Sequence, residues 1–378
     1  MAELFAAAES GNITPAWLTQ ALRQSGTLPH GEVVAVELQT TDAFNSQTSH
    51  LTLHYSADAP EQAPTRLVLK RNTREAWCIR AQAKEVRFYQ TVATLPEHPK
   101  IIPPCYAASY DAQSGNSYLL LQDLSETHRQ PVTRAETIDT SGSVPRPEYI
   151  EATIDTLARL HAFWWEHPLL KTEVAQAGMW QAEEAPAQRY TQRRIQEWEQ
   201  LMASEPGSTL PAELRTGIEQ WLERMPHYWE QRLAPRFATG SKQTLTHGDA
   251  YFSNFLCPRQ LPGTSYLLDW QSPQVHIGAL DLANMLATFW TPAQRHEGQR
   301  ELRALRRYHD TLTASGVNNY SWEELLDDYR IGLIDWLEVP IWDASNGSSR
   351  TYWWPKLQCL FNAVMDWQCL EFMSSTPS

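Results

Sequence analysis

His247-Gly248-Asp249-Ala250-Tyr251-Phe252-Ser253-Asn254 carries a carboxylate and an amide at a spacing that phosphoryl transfer can use. Leu267-Leu268-Asp269-Trp270 follows, with Asp269 fifteen residues beyond Asn254. Phosphoryl transfer to a hydroxyl needs a base for the attacking oxygen and oxygen ligands for magnesium. Asp249 fits the base. Asn254 and Asp269 fit the ligands, because amide and carboxylate oxygens suit a hard cation. Either aspartate by itself reads equally as a turn or cap residue, which is what most loop aspartates are. The ordered set does not.

The flanking pattern agrees. Thr244-Leu245-Thr246, Phe255-Leu256 and Tyr266-Leu267-Leu268 are short β-prone runs, and Pro258, Pro262 and Gly263 punctuate the last connection. This predicts a loop and a small hairpin presenting polar groups at one end.

At these residues the chain resembles the aminoglycoside phosphotransferase/choline kinase superfamily of small-molecule kinases, and within it the ecdysteroid-kinase-like branch. HGDxxxxN at 247–254, LLDW at 267–270 and Asp281-Leu282-Ala283 carry the likeness. Leu157-Ala158-Arg159-Leu160-His161-Ala162-Phe163 and Tyr308-His309-Asp310-Thr311-Leu312 add to it, and the whole runs from about Leu38 to about Leu333. The resemblance implies a two-lobed protein-kinase-like α+β fold. A small antiparallel sheet lobe, residues 1–125, would bind nucleotide, and a larger, mainly helical lobe, residues 126–378, would hold the catalytic loop and the substrate. It implies ATP and Mg2+ as cofactors, Asp249 as base, Asn254 and Asp269 as magnesium ligands, and His247 and Asp281 as supports of the loop.

A kinase also needs a cation on the phosphates, supplied by a strand lysine. Arg66-Leu67-Val68-Leu69-Lys70 is an apolar run ending in such a lysine, and alternation puts Val68 and Lys70 on one face. Cys78, Ala81, Glu85, Phe88 and Val92 then follow the spacing of one helical face. Glu85 therefore sits in an apolar stripe, where a carboxylate is costly unless paired. Lys70 is its natural partner, as in the family; otherwise Glu85 lies at the edge of the stripe and reaches water.

The phosphate loop should precede that strand. Val33 to Leu38 and Leu51 to Tyr55 read as strands around a stretch, 40–49, that contains no glycine. It departs from the GxGxxG loop of protein kinases, and close backbone approach is harder without glycine. Backbone amides and the hydroxyls of Ser46, Thr48 and Ser49 are candidate phosphate contacts, and an ordinary polar turn is an equal reading. No Walker A sequence occurs. Tyr118 to Leu124 resembles the segment joining the lobes, whose backbone from Gln122 to Leu124 would bond the adenine edge.

Composition narrows the class. A length of 378 residues suits two lobes. No segment approaches the ~20 apolar residues of a membrane span, and Met1 to Phe5 lacks the basic start and apolar core of a signal peptide. Five cysteines without CxxC spacing read as reduced thiols of a cytoplasmic protein. A formal charge of −13 argues against nucleic acid as a partner. The first 125 residues hold nine basic against twelve acidic side chains, so most of the negative charge falls in the larger part. That excess could serve a cationic acceptor, although solubility explains it as well.

Thr14-Pro15-Ala16-Trp17 opens a helix with a capping threonine and an early proline. Residues 128–147 read as a loop, and helical periodicity dominates from Tyr149 onward. Tryptophans gather late. Trp336, Trp342, Trp353 and Trp354, with Asp343, are candidate walls for the acceptor, by cation–π attraction to an amine or by stacking on a sugar or a flat alcohol. Each one alone reads better as interhelical core. The expected reaction is γ-phosphoryl transfer from ATP to an aminoglycoside-, choline-, sugar- or steroid-like alcohol. The alternative is a non-catalytic ATP-binding regulator, whose mark would be loss of Asp249, Asn254 or Asp269. A protein kinase is disfavoured because no DFG-to-APE segment follows Asp269.

Overall fold

The computed structural model describes residues 13–42, 46–73, 76–140, 144–172 and 187–375. The N-terminal stretch Met1 to Phe5 and part of the expected phosphate loop, residues 43–45, lie outside them. Contacts divide the chain into two units. One runs to Arg129 and takes in Pro258–Ser272, and the other comprises Gln130–Cys257 and Pro273–Ser378.

Among the described residues the first unit begins with helix α1, Pro15–Gln24. The Thr14 hydroxyl accepts from the Trp17 N–H at 3.2 Å, one of the donors that a helix start leaves unsatisfied. Strands β1 (Val33–Asp42), β2 (Ser46–Tyr55), β3 (Arg66–Asn72), β4 (Cys105–Tyr110) and β5 (Ser117–Gln122) form an antiparallel sheet in the order β1-β2-β3-β5-β4. Helix α2, Ala76–Thr91, lies between β3 and β4 in sequence.

Alternation along β3 sorts its side chains by face. Leu67 and Leu69 are fully buried and join Trp17, Leu18, Leu22, Leu51 and Leu53 in a core between the sheet and α1. Lys70 points to the opposite face, where α2 packs. Of the expected stripe, Cys78, Glu85 and Phe88 on α2 and Val92 just beyond its end are buried, and so is Gln82.

The second unit is mainly helical. Its principal helices are α3 (Pro147–Trp164), α4 (Ala187–Met202), α5 (Ala212–Tyr228), α6 (Ala279–Ala287), α7 (Arg300–Ala314), α8 (Trp322–Trp336), α9 (Glu338–Ser345) and α10 (Arg350–Asp366). Strands β6 (Thr244–Thr246) and β7 (Gln274–His276) pair antiparallel, so the HGD stretch leaves directly from the end of a buried strand. Helix α6 is buried along its whole length and packs on α8, while α3 packs on α7. A helix enclosed on every side belongs in the middle of a unit, and the Asp281 and Asn284 it carries are enclosed with it. Among the described residues no helix is long and apolar enough to cross a membrane.

Candidate active site

In the first unit three charged side chains converge from strand, helix and loop. The Lys70 ammonium lies 2.7 Å from Glu85 Oε2 and 2.7 Å from Asp269 Oδ1. Glu85 also accepts from Gln82 Nε2 at 3.1 Å and from Gln271 Nε2 at 3.5 Å. Burial disfavours the charge on Lys70, but Asp269 and Glu85 outweigh it and raise the lysine above its ordinary range. Glu85 is almost fully enclosed, whereas 28% of the Asp269 side chain is exposed. The glutamate is thus the enclosed partner of the lysine, and the aspartate the one open to solvent.

Asp269 has φ +65°, a left-handed conformation that non-glycine residues seldom adopt outside special turns. Its carbonyl accepts from Gln271 N–H at 2.8 Å. The next residue, Trp270, is fully buried and stacks on Phe88, with ring centroids 4.0 Å apart. Phe88 sits one turn beyond Glu85 on α2. The helix that holds the lysine's partner therefore also clamps the neighbour of Asp269.

Of the other expected nucleotide contacts, Ser46 starts β2, and its side chain lies outside the described residues. Thr48 stands opposite Lys70 in the β2–β3 register. Gln122 ends β5, and its N–H donates to the Pro104 carbonyl at 2.9 Å. The Asp123 N–H donates to Arg66 O at 3.1 Å, and the Leu124 carbonyl accepts from Thr127 and His128. The segment Gln122–Leu124 is thus held by main-chain bonds on both sides.

In the second unit the loop after β6 is built around one buried carboxylate. Asp281, in the first turn of α6, accepts from His247 N at 2.6 Å and from Gly248 N at 2.9 Å. His161 Nε2, from α3, lies 3.2 Å from the same carboxylate, and its Nδ1 is 2.8 Å from the Tyr308 hydroxyl of α7. Donation from Nε2 to Asp281 leaves Nδ1 to accept from Tyr308. Burial favours the neutral acid, but the His161 hydrogen bond, the electrostatic pull of His161 and His247 and the His247 N–H hold Asp281 below the usual carboxylate range. Gly248 takes φ +74°. At Gly278 a Cβ would collide with the Tyr308 hydroxyl and sit 2.8 Å from His161 Nδ1, so the close approach requires glycine.

This scaffold presents Asp249 and Asn254. Asn254 Nδ2 donates to the Asp249 carbonyl at 2.7 Å and reaches Asp249 Oδ2 at 3.3 Å. With its nitrogen so used, the amide turns its oxygen the other way, the end a hard cation would need. His247 is fully buried, and its Nδ1 accepts from Asp249 N at 3.3 Å.

The late aromatic residues divide. Trp336 is buried and donates Nε1–H to the Leu280 carbonyl at 2.7 Å, and Trp353 is buried in α10; both are seen in packing. Trp354 is half-buried, and Trp342 is 42% exposed. Asp343 is buried and bonded to Lys356 Nζ at 2.8 Å. At the 247–254 loop the Tyr251 and Phe289 rings lie 5.4 Å apart, and Tyr352 joins Phe289 around the Lys356 ammonium. Sequence reasoning passed over these three, and over Gln82 and Gln271. Gln82 was within reach, being one helical turn before Glu85 on the same face.

Comparison with known proteins agrees with the architecture. The ecdysteroid kinase-like family model matches residues 41–316, and the chain belongs to that family. A Ralstonia eutropha protein assigned provisionally to the aminoglycoside phosphotransferases is similar at 13% identity and a TM-score of 0.52. The match covers 94% of this chain and 97% of that one. Choline kinase from Streptococcus pneumoniae matches at 14% identity, covering 88% and 94% of the two chains, with a TM-score of 0.49. No curated protein matches the sequence. The fold is that of kinase-like phosphotransferases.

Proposed function

We propose that the protein is an ATP- and magnesium-dependent small-molecule kinase of the cytoplasm that phosphorylates a hydroxyl. The observation that carries this reading is the Lys70 ammonium held between Glu85 and Asp269 at 2.7 Å each. A structural ion pair needs one carboxylate. A second, partly exposed one that arrives 199 residues later in the chain, from the LLDW motif, supports a place for phosphates and their metal.

In this reading the first unit is the nucleotide-binding lobe and the second the catalytic and substrate lobe. Lys70 neutralises phosphate oxygens, Glu85 orients Lys70, and Thr48, Ser46 and the backbone of Gln122–Leu124 complete the nucleotide contacts. Asn254 and Asp269 would hold magnesium, which supplies charge neutralisation on the transferring group. Among the described residues no cluster of three His, Cys, Asp or Glu forms a metal cage. Asp249 accepts the hydroxyl proton as the new O–P bond forms and the bond to the leaving ADP breaks. His247 and Asp281 fix the loop.

The test is magnesium-dependent ATP consumption across a library of alcohols, with Asp249→Asn as control. General-base catalysis contributes ~10²–10⁴-fold. Turnover in Asp249→Asn should fall by about that factor while ATP affinity persists. Near-wild-type turnover in this variant would overturn the assignment of the base.

A further inference from the structure

The aromatic group beside the catalytic loop already contains a cation, and the chain supplies it. Lys356 Nζ lies 4.0 Å from the centroid of the Tyr352 ring and 5.7 Å from that of Phe289. Both distances are within the ~6 Å over which a ring face attracts an ammonium. The same nitrogen is 2.8 Å from Asp343 Oδ2, and both side chains are almost fully enclosed. Phe289 packs on Tyr251, two residues beyond Asp249. The Tyr251 phenol is pushed well up, first by its burial and then by electrostatic interaction with Asp249, Tyr352 and Asp343 against the pull of Arg134, so these groups share one neighbourhood.

Aromatic faces with one carboxylate are what would bind an amine or a quaternary ammonium. Here Tyr352 and Phe289 are already occupied, and Asp343 is already paired. A cationic acceptor entering beside Asp249 would meet a like charge and no available carboxylate in this group, and like-charge juxtaposition is a means of exclusion. Resting on the kinase reading above, we propose that Lys356 is a specificity-determining residue that fills a cation box with its own ammonium and so closes the acceptor site to cationic alcohols, leaving neutral ones as substrates. The chain's negative charge is then unconnected with acceptor choice.

The test titrates choline and n-propylammonium calorimetrically into the full chain without nucleotide. Lys356→Ala removes three methylenes and the ammonium, a volume that n-propylammonium matches. The wild type should saturate with neither probe. Lys356→Ala should bind both, at least about tenfold tighter than the wild type, from restored cation–π and ionic contacts. Lys356→Met, which refills the volume without the charge, should gain neither. Saturable binding of choline by the wild type overturns the proposal. So does a folded Lys356→Ala that takes n-propylammonium but not choline, since the pair would then be closed off from the acceptor site, or one that takes neither. Should Lys356→Ala fail to fold, the wild-type titration with choline still decides. Failure of the kinase reading would show elsewhere, as absence of Lys70-dependent binding of magnesium and ATP, which none of these titrations uses.

Discussion

Asp281→Asn isolates the support of the catalytic loop from the chemistry. In the native chain one carboxylate oxygen receives His247 N–H and His161 Nε2–H, and the other receives Gly248 N–H. The asparagine keeps most by placing its carbonyl at the doubly bonded position. Its NH₂ then faces the Gly248 N–H, donor against donor. A buried unsatisfied donor costs about 1–3 kcal/mol, and the two remaining bonds fall from charge-assisted to neutral strength, about 1 kcal/mol each. The sum is about 3–5 kcal/mol, concentrated on the loop. Hydrogen exchange of the 245–256 segment should therefore accelerate by about 10²- to 4 × 10³-fold, at 1.4 kcal/mol per tenfold. The sign with pH is fixed by the depressed folded-state pKa. Asp281's contribution is complete above the unfolded carboxylate value of ~3.9 and is lost as pH falls through the lower folded value. The gap between wild type and variant should hold from neutral pH down to about 4 and close only below it. Exchange changed by less than about threefold would refute the view that Asp281 organises the loop.

Three further outcomes follow from the same geometry. A double-mutant cycle on Lys70→Met and Glu85→Gln should be strongly non-additive in turnover, since each group makes the other's burial tolerable; additive effects would separate Glu85 from Lys70 function. Asp269→Ala should abolish the tightening of ATP binding by magnesium, measured calorimetrically with and without the metal, and a full metal effect in the variant would move the main ligand elsewhere. Gly278→Ala should destabilise by about 1–3 kcal/mol through overpacking. Tyr308→Phe in the same chain should restore part of that loss in urea unfolding, because the collision is with the hydroxyl.

The parts legible in the sequence are those set by local period or local chemistry. Two-residue alternation put Leu67 and Leu69 on the face opposite Lys70, and helical spacing placed Glu85 in a buried stripe. Both follow from backbone geometry alone. The α1 cap at Thr14 was equally local. What stayed hidden were partnerships between side chains that no period connects. His161 belongs to an apolar helical face in sequence; only the packing of α3, α6 and α7 makes it the link between Asp281 and Tyr308. Trp336 was a candidate pocket wall by composition, yet its Nε1–H is spent on a carbonyl inside the unit.

Asp343 shows why such partnerships matter more than residue type. As a sequence feature it is a carboxylate among tryptophans, an invitation to a cationic ligand. Lys356 follows thirteen residues later, across the turn from α9 to α10, and nothing in the intervening pattern announces that the two will meet. Desolvating either charge alone is too costly to persist, so burial forces them together. Once paired, the carboxylate that seemed to advertise a substrate is withdrawn from binding. The same rule gives the opposite result at Lys70. There two carboxylates meet one ammonium, one enclosed and one 28% exposed, and the second remains open to solvent. Acidic residues in a kinase-like chain are therefore read for function by counting the cations each can reach in the folded unit, and by asking which carboxylate is left facing water.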